Sequence, residues 1–259
     1  MGSTYYLEST FDDEVERIYH LADIHIKNDS RYEEYLEVFN NLYEILRKDH
    51  ADNKKNTIIT ICGDIFHHKT DMRPEAISIA IRFFSKLAEI YPLFIIPGNH
   101  DCNISNPNRM DALKPIADTL KNNSNIYYMY KSGIYYYRNI AFGVISVLDN
   151  IVVKAKNINT DEMEYNNCYK IALYHGPVHG AIDDVGARMN SSEFTVDFFD
   201  GYDRVLLGDV HKFQYMNDDK TIAYSGSLIQ QDFGEKSEMH GLIKWDLYLG
   251  ESKFIKVPN

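Results

Sequence analysis

Residues 92–101 read Pro92-Leu93-Phe94-Ile95-Ile96-Pro97-Gly98-Asn99-His100-Asp101, an apolar run shut off by Pro-Gly and followed by three polar side chains. A short continuous apolar run of this kind suits a strand buried on both faces. In α/β proteins, chemistry gathers in the crevice beyond the carboxyl ends of such strands. Taken alone, Gly-Asn-His-Asp is also an ordinary turn, because Gly, Asn and Asp all favour turns. The rest of the chain decides between the two readings.

Working outward, the same pattern recurs. Ile18 to Ile26 reads as a strand ending in Asp23-Ile24-His25, two side chains that share a face of extended backbone. Thr57 to Cys62 is a second buried strand, closed by Gly63-Asp64, with His67 and His68 just beyond. Tyr169 to Tyr174 runs into His175-Gly176, and Arg204 to Leu207 into Gly208-Asp209-Val210-His211. Five strand ends thus carry potential ligands: Asp23/His25, Asp64, Asn99/His100, His175 and Asp209/His211. Carboxylate oxygens mixed with imidazole nitrogens suit manganese, iron or zinc. The set is large enough for two ions sharing a bridging carboxylate, which can serve phosphoryl or carbonyl hydrolysis. Residue types alone leave that choice open.

Helices fill the spaces between strands. Ser30 to His50 follows the helical period through Tyr35, Phe39, Leu42 and Leu46, with Ser30 as N-cap. Pro74, at the favoured first position, opens a helix to about Tyr91. Its apolar residues spread over about 200°, wider than one packed face needs. The excess predicts a second partner, either another helix of this chain or another subunit. Arg109 to Leu120 reads as a short helix. Residues 126–153, rich in tyrosine, read as antiparallel strands with turns at Lys131-Ser132-Gly133 and Arg138-Asn139. Those tyrosines could stack bases, but a packed sheet face accounts for them better. Thr221 to Tyr224 and Gly241 to Leu247 are read as closing strands, joined through Ser225-Gly226-Ser227.

Composition sets the outer limits. With 259 residues, 44% hydrophobic and 25% charged, the chain can bury a full core. No apolar run reaches the length of a membrane span, and the first residues, Met1 to Tyr6, lack the basic and then apolar regions of a secretory signal. The three cysteines (Cys62, Cys102, Cys168) have no finger spacing, so an intracellular, reducing compartment is expected. A net charge of −11 excludes a generally basic nucleic-acid surface. A DNA substrate would need bound metal, a local patch or a partner to offset the repulsion. Residues 1–14 read as a flexible N-terminal segment and 15–259 as the catalytic domain.

The order and spacing of the blocks resemble the calcineurin-like metallophosphoesterases, from Ile18 to about Leu247. Gly63-Asp64-Ile65-Phe66-His67, Pro97 to Asp101, Gly208 to Gln214 and Tyr224-Ser225-Gly226-Ser227-Leu228 look most similar to the catalytic domain of SbcD-type double-strand-break repair nucleases, in wording closer to versions from large DNA viruses. The resemblance implies an α/β sandwich of two mixed sheets flanked by helices. It implies two divalent ions: Asp23, His25 and His211 on one, Asn99 and His175 on the other, Asp64 bridging. His100 would stand beside the phosphate with Asp101 orienting it, and His67 would lie near the substrate. The family usually has His where this chain has Asp209. A carboxylate can still ligate the second ion, and its charge favours manganese over zinc.

The function this implies is two-metal hydrolysis of DNA phosphodiesters, by exonuclease or endonuclease action. The alternatives are a phosphatase or phosphodiesterase acting on nucleotides or phosphoproteins, and a DNA-end-binding scaffold impaired by Asp209. Relatives also imply a homodimer through the helices at 74–90 and 109–120, and an SMC-type ATPase partner. The capping and partner-docking regions that follow the family's catalytic domain are not found before Asn259.

Overall fold

The computed structural model describes all residues except 1, 9–13, 28–30, 53–55, 70–71, 107, 121–124, 150, 160–167, 191, 232–234, 236–238 and 259. The elements run β1 (Ser3–Glu8), β2 (Arg17–Leu21), α1 (Tyr32–Asp52), β3 (Thr57–Cys62), α2 (Pro74–Ala88), β4 (Leu93–Ile96), α3 (Lys114–Leu120) and β5 (Ile126–Tyr128). They continue as β6 (Gly133–Tyr137), β7 (Ile140–Ile145), β8 (Tyr169–His175), β9 (Arg204–Gly208), β10 (Gln214–Tyr215), β11 (Ile222–Tyr224), β12 (Gly241–Asp246) and β13 (Glu251–Lys256).

Two mixed sheets result, ordered β13-β12-β2-β3-β4-β5 and β1-β6-β7-β8-β9-β11-β10. They pack face to face. Ile18, Ile58, Phe94 and Trp245 of the first meet Tyr137, Phe142, Leu173 and Leu206 of the second in one buried cluster. All three α-helices cover the outer face of the first sheet, where Phe39 of α1 stacks on Phe83 of α2 with centroids 4.0 Å apart. The outer face of the second sheet is covered instead by loops and 3-10 turns bearing Val153, Val178 and Phe199. The expected sandwich of two mixed sheets is therefore present.

In both sheets the strands that precede the polar blocks are parallel neighbours. Leu21 pairs with Ile61, Cys62 with Ile96, and His175 with Gly208. Parallel strands end together, so their last residues emerge at one edge. Across the sandwich, the buried His20 donates its Nε2–H to the Leu207 carbonyl, 3.1 Å away, tying β2 to β9. His20 is structural.

Several expectations need correction. Residues 3–8, placed in a loose N-terminal segment, form an edge strand parallel to β6, with Tyr5 stacked on Tyr135 at 4.3 Å. β5 does not join β6 and β7 in an antiparallel set. It pairs with β4 in parallel, in the other sheet, and the strand region ends at Ile145, not 153. The helix read as 109–120 begins only at Lys114, because Asp111 Oδ1 accepts the N–H groups of Leu113 (3.0 Å) and Lys114 (2.8 Å) and so caps it there. The Ser30 cap lies outside the described residues. β13 was missed altogether. Tyr135, Tyr136 and Tyr137 are buried, as a packed sheet face requires. Much of the broad apolar arc of α2 is buried against the sheet, α1 and α3, while Ile77 and Ile81 are only partly covered.

Candidate metal centre

The five polar blocks meet at one edge of the sandwich, where its two sheets abut. Asp23, His25, Asp64 and Asp209 all have positive φ, at 54°, 49°, 56° and 96°. Left-handed backbone is costly for residues other than Gly, and it turns each side chain back over the strand ends. Gly98 belongs to the same construction: a Cβ there would strike the carboxylate and backbone nitrogen of Asp64. Pro97-Gly98 is thus a close approach between two blocks, and not only a turn.

Asp64 lies at the centre. Its Oδ2 is 3.4 Å from His25 Nε2 and 3.3 Å from His175 Nε2, and its Oδ1 accepts the His100 N–H at 2.8 Å. On one side Asp23, His25 and His211 bring ligand atoms within 4.8 Å of one another; on the other, Asp23, Asp64 and His175 do so. His25 Nε2 and His211 Nε2 face each other at 3.1 Å, and His175 Nε2 faces Asn99 Oδ1 at 2.9 Å. Asp209 Oδ1 lies 3.8 Å from His175 Nε2, while its N–H donates to the Asp23 carboxylate. Asp209 therefore sits on the Asn99–His175 side. Asp64 lies between the two groups, and Asp23 reaches into both.

The outer nitrogens of the histidines show what the inner ones are for. His175 Nδ1–H donates to the Cys62 carbonyl at 2.7 Å, and His211 Nδ1–H to Glu235 Oε1 at 3.1 Å. Each such bond fixes the tautomer and leaves Nε2 a lone pair aimed inward, the usual support of a metal-bound imidazole. Nitrogen, amide oxygen and carboxylate acceptors then converge, a set that either added protons or a cation can satisfy. The acid–base balance agrees. Burial pushes Asp23 up to about 7 against the pull of His175 and His211. Burial opposes protonation of His175, but the Asp64 carboxylate outweighs it and holds that histidine well above its usual range. His211 is likewise raised to about 9, against burial, chiefly by its Glu235 bond and by Asp23. Without a metal ion, this centre collects protons. Its donor set fits two divalent ions.

His100 flanks the centre. Its Nδ1–H donates to the His67 carbonyl at 2.7 Å, which fixes the tautomer with the lone pair on Nε2. Ring nitrogens of His25, His67 and His100 approach within 4.8 Å. The expected role of Asp101 is not what the structure shows. Asp101 does not touch the His100 ring: its Oδ1 accepts the N–H of Ile65 (2.9 Å) and Phe66 (3.0 Å), and its Oδ2 that of Gly98 (2.9 Å). The buried carboxylate satisfies three turn amides and so joins the second and third blocks. His68 and His179 are exposed and take no part. Glu235, whose Oε1 meets His211 Nδ1, was not among the sequence candidates, since it lies in a polar stretch with no ligand spacing.

A cavity of about 660 Å³ opens beside Asn99, His175 and Asp209, walled by Ile104, Val152 and Phe194 among others. Among its described lining residues there is no Lys or Arg, while Asp149 and Glu193 add carboxylates.

A hydrolytic metal centre assembled at strand ends of an α/β sandwich defines the class. The calcineurin-like phosphoesterase family matches residues 16–213, and the chain belongs to it. Members of this family are phosphoester hydrolases that bind divalent metals. A protein of Acanthamoeba polyphaga mimivirus is 49% identical over 249 residues, which cover 95% of this chain but 18% of that protein. A protein of Invertebrate iridescent virus 6 named as a phosphoesterase is 30% identical over 189 residues, 72% of this chain and 62% of its own. The chain thus spans less than two thirds of either relative. Among solved structures, the cold-active protein-tyrosine phosphatase of a psychrophilic Shewanella species aligns over 98% of this chain and 82% of its own, at 13% identity and a TM-score of 0.42. Among the described residues no helix is long and apolar enough to cross a membrane.

Proposed function

We propose that this protein is a metal-dependent phosphodiesterase that hydrolyses DNA in end processing and repair, in the manner of the SbcD-type nucleases. The observation that carries the reading is the placement of His100. Its backbone N–H bonds Asp64, and its ring, fixed by the His67 carbonyl, stands beside His25 and His67 at the centre. Asp23, His25 and His211 would hold one ion and Asn99, His175 and Asp209 the other, with Asp64 between the two groups. Two divalent ions, when bound, supply Lewis-acid activation of the phosphoryl group and the attacking water. His100 stabilises charge on the phosphoryl oxygens or protonates the leaving oxygen, with His67 beside it. Asp209 in place of the usual His makes manganese the favoured ion. The net charge of −11 is best met on DNA by a partner that holds the duplex, and an SMC-type ATPase and a homodimer through α2 and α3 fit that need.

The acidic, half-apolar cavity favours a second reading, a phosphodiesterase for small nucleotide esters, because a continuing polyanionic strand would meet Asp149 and Glu193 there. One assay series separates the two. Labelled duplex, single strand, a nitrophenyl phosphodiester and its monoester are compared in manganese, magnesium, zinc and chelator. The first reading expects manganese-dependent strand cleavage, abolished by chelator and lowered about 10²–10⁴-fold in His100→Ala. Hydrolysis of the small diester alone favours the second. Failure to cleave any diester in protein carrying two ions overturns both.

A further inference from the structure

The Ser225-Gly226-Ser227 turn and the segment after it lie against one half of the metal centre. Gly226, with φ 73°, approaches the 211–213 backbone so closely that a Cβ would strike the His211 carbonyl. Ser227 donates its N–H to that carbonyl at 2.9 Å, and its Oγ pairs with Nδ1 of the buried His240 at 3.1 Å. His240 Nε2 lies 4.0 Å from Glu235 Oε2, and Glu235 Oε1 accepts the His211 Nδ1–H. Ser227 thus links the His211 carbonyl to His240, and Glu235 bonds the His211 ring; at 4.0 Å, His240 and Glu235 are not hydrogen-bonded to each other.

Glu235 is the member of this set that bonds the His211 ring. It is 8% exposed, and its Oε2 also accepts the Gln231 N–H at 2.8 Å. Gln231 in turn reaches with its side chain to the Ile24 carbonyl at 3.3 Å, between Asp23 and His25. Glu235 and Gln231 therefore contact His211 and the Ile24 backbone that separates Asp23 from His25. Asp184, the other carboxylate near His211 Nδ1, stands 3.6 Å away, beyond hydrogen-bond range.

We infer that Glu235 is a positioning residue for the reaction: through His211 Nδ1 it orients and strengthens His211 as a ligand of the Asp23–His25–His211 ion, with the Gln231 N–H holding its other oxygen. This rests on the reading that those three residues bind metal. Removing such an outer partner costs about 10–100-fold in metal affinity.

The test is manganese titration of the full chain by calorimetry and by electron paramagnetic resonance, which read occupancy without turnover. Glu235→Ala is expected to weaken one of the two ions 10–100-fold and spare the other. Glu235→Gln, which keeps an acceptor but loses the charge, is expected to restore part of that loss. Asp184→Ala is expected to stay within about threefold of wild type, as its atom lies outside hydrogen-bond range. If the wild-type protein binds no manganese, the metal-centre reading itself fails. If it binds two ions and both Glu235 variants bind them as tightly, only this inference fails. Should Glu235→Ala not fold, unchanged affinity in Glu235→Gln is enough to overturn it.

Discussion

Replacing Asp101 tests how the second and third blocks are joined. Its carboxylate is fully buried and accepts three backbone N–H groups, from Ile65, Phe66 and Gly98. Asp101→Ala strands all three. Each buried donor left without a partner costs about 1–3 kcal/mol, and water entering the vacated space recovers part of it, so the expected loss is about 3–6 kcal/mol. That is a large share of the ~5–15 kcal/mol by which a typical domain is stable. Asp101→Asn can keep its oxygen toward Ile65 and Phe66 but turns an NH₂ toward the Gly98 N–H, for a loss of about 1–3 kcal/mol. Urea unfolding in chelator, where metal binding adds nothing to stability, measures both. A double-mutant cycle with His100→Ala then asks whether Asp101 works through that ring. The geometry expects near-additivity, within about 0.5 kcal/mol. A loss below 1 kcal/mol for Asp101→Ala, or strong coupling to His100, would refute the assignment.

Other outcomes follow from the same geometry. Burial lowers His20 to about 3, against the pull of its Leu207 bond, from an ordinary 6.5. The unfolded chain therefore takes up this proton first: the stability contribution is complete above pH 6.5 and lost as pH falls toward 3, by at most about 5 kcal/mol. Urea midpoints of wild type and His20→Gln at pH 7, 5.5 and 4.5 should converge toward acid. Because Asp23, His175 and His211 carry raised pKa values without metal, uptake of ions must release protons, and affinity should rise from pH 6 to pH 9. Calorimetry in buffers of different ionisation enthalpy reads the released protons directly; a buffer-independent heat would contradict the raised values. Gly98→Ala should drive Asp64 from its bridging place and reduce bound metal below two ions per chain, read by elemental analysis, with the fold retained by circular dichroism.

The strand ends were legible because physics marks them twice. An apolar run such as Leu93–Ile96 can only be buried, and Pro97-Gly98 or Gly63-Asp64 can only stop it. β1 was not legible: Ser-Thr-Tyr-Tyr-Leu-Glu is an edge strand whose partner, β6, lies far along the chain. The start of α3 depended on the Asp111 side chain competing for the amides of the first turn, which periodicity does not register. β5 was assigned its neighbours by sequence order, although tertiary contacts place it beside β4. In the site, the candidate ligands that gather at one edge stand at strand ends that residue types already marked. The roles of Asp101 and Glu235 were not marked in this way, since they depend on which atoms the two carboxylates face across the fold.

β2 lies between β3, which follows it closely, and β12, which arrives near the far end of the described chain. Asp23 and His25 emerge directly from β2, so their setting is incomplete until Ile243 has paired with His20. On a ribosome the N-terminal half would wait with one edge of its sheet unpaired, a site for mispairing with other chains. The same separation raises contact order and slows closure of the sandwich. Metal capture, on this view, reports the last event of folding, and a nascent chain would acquire its ions only once β12 has been delivered.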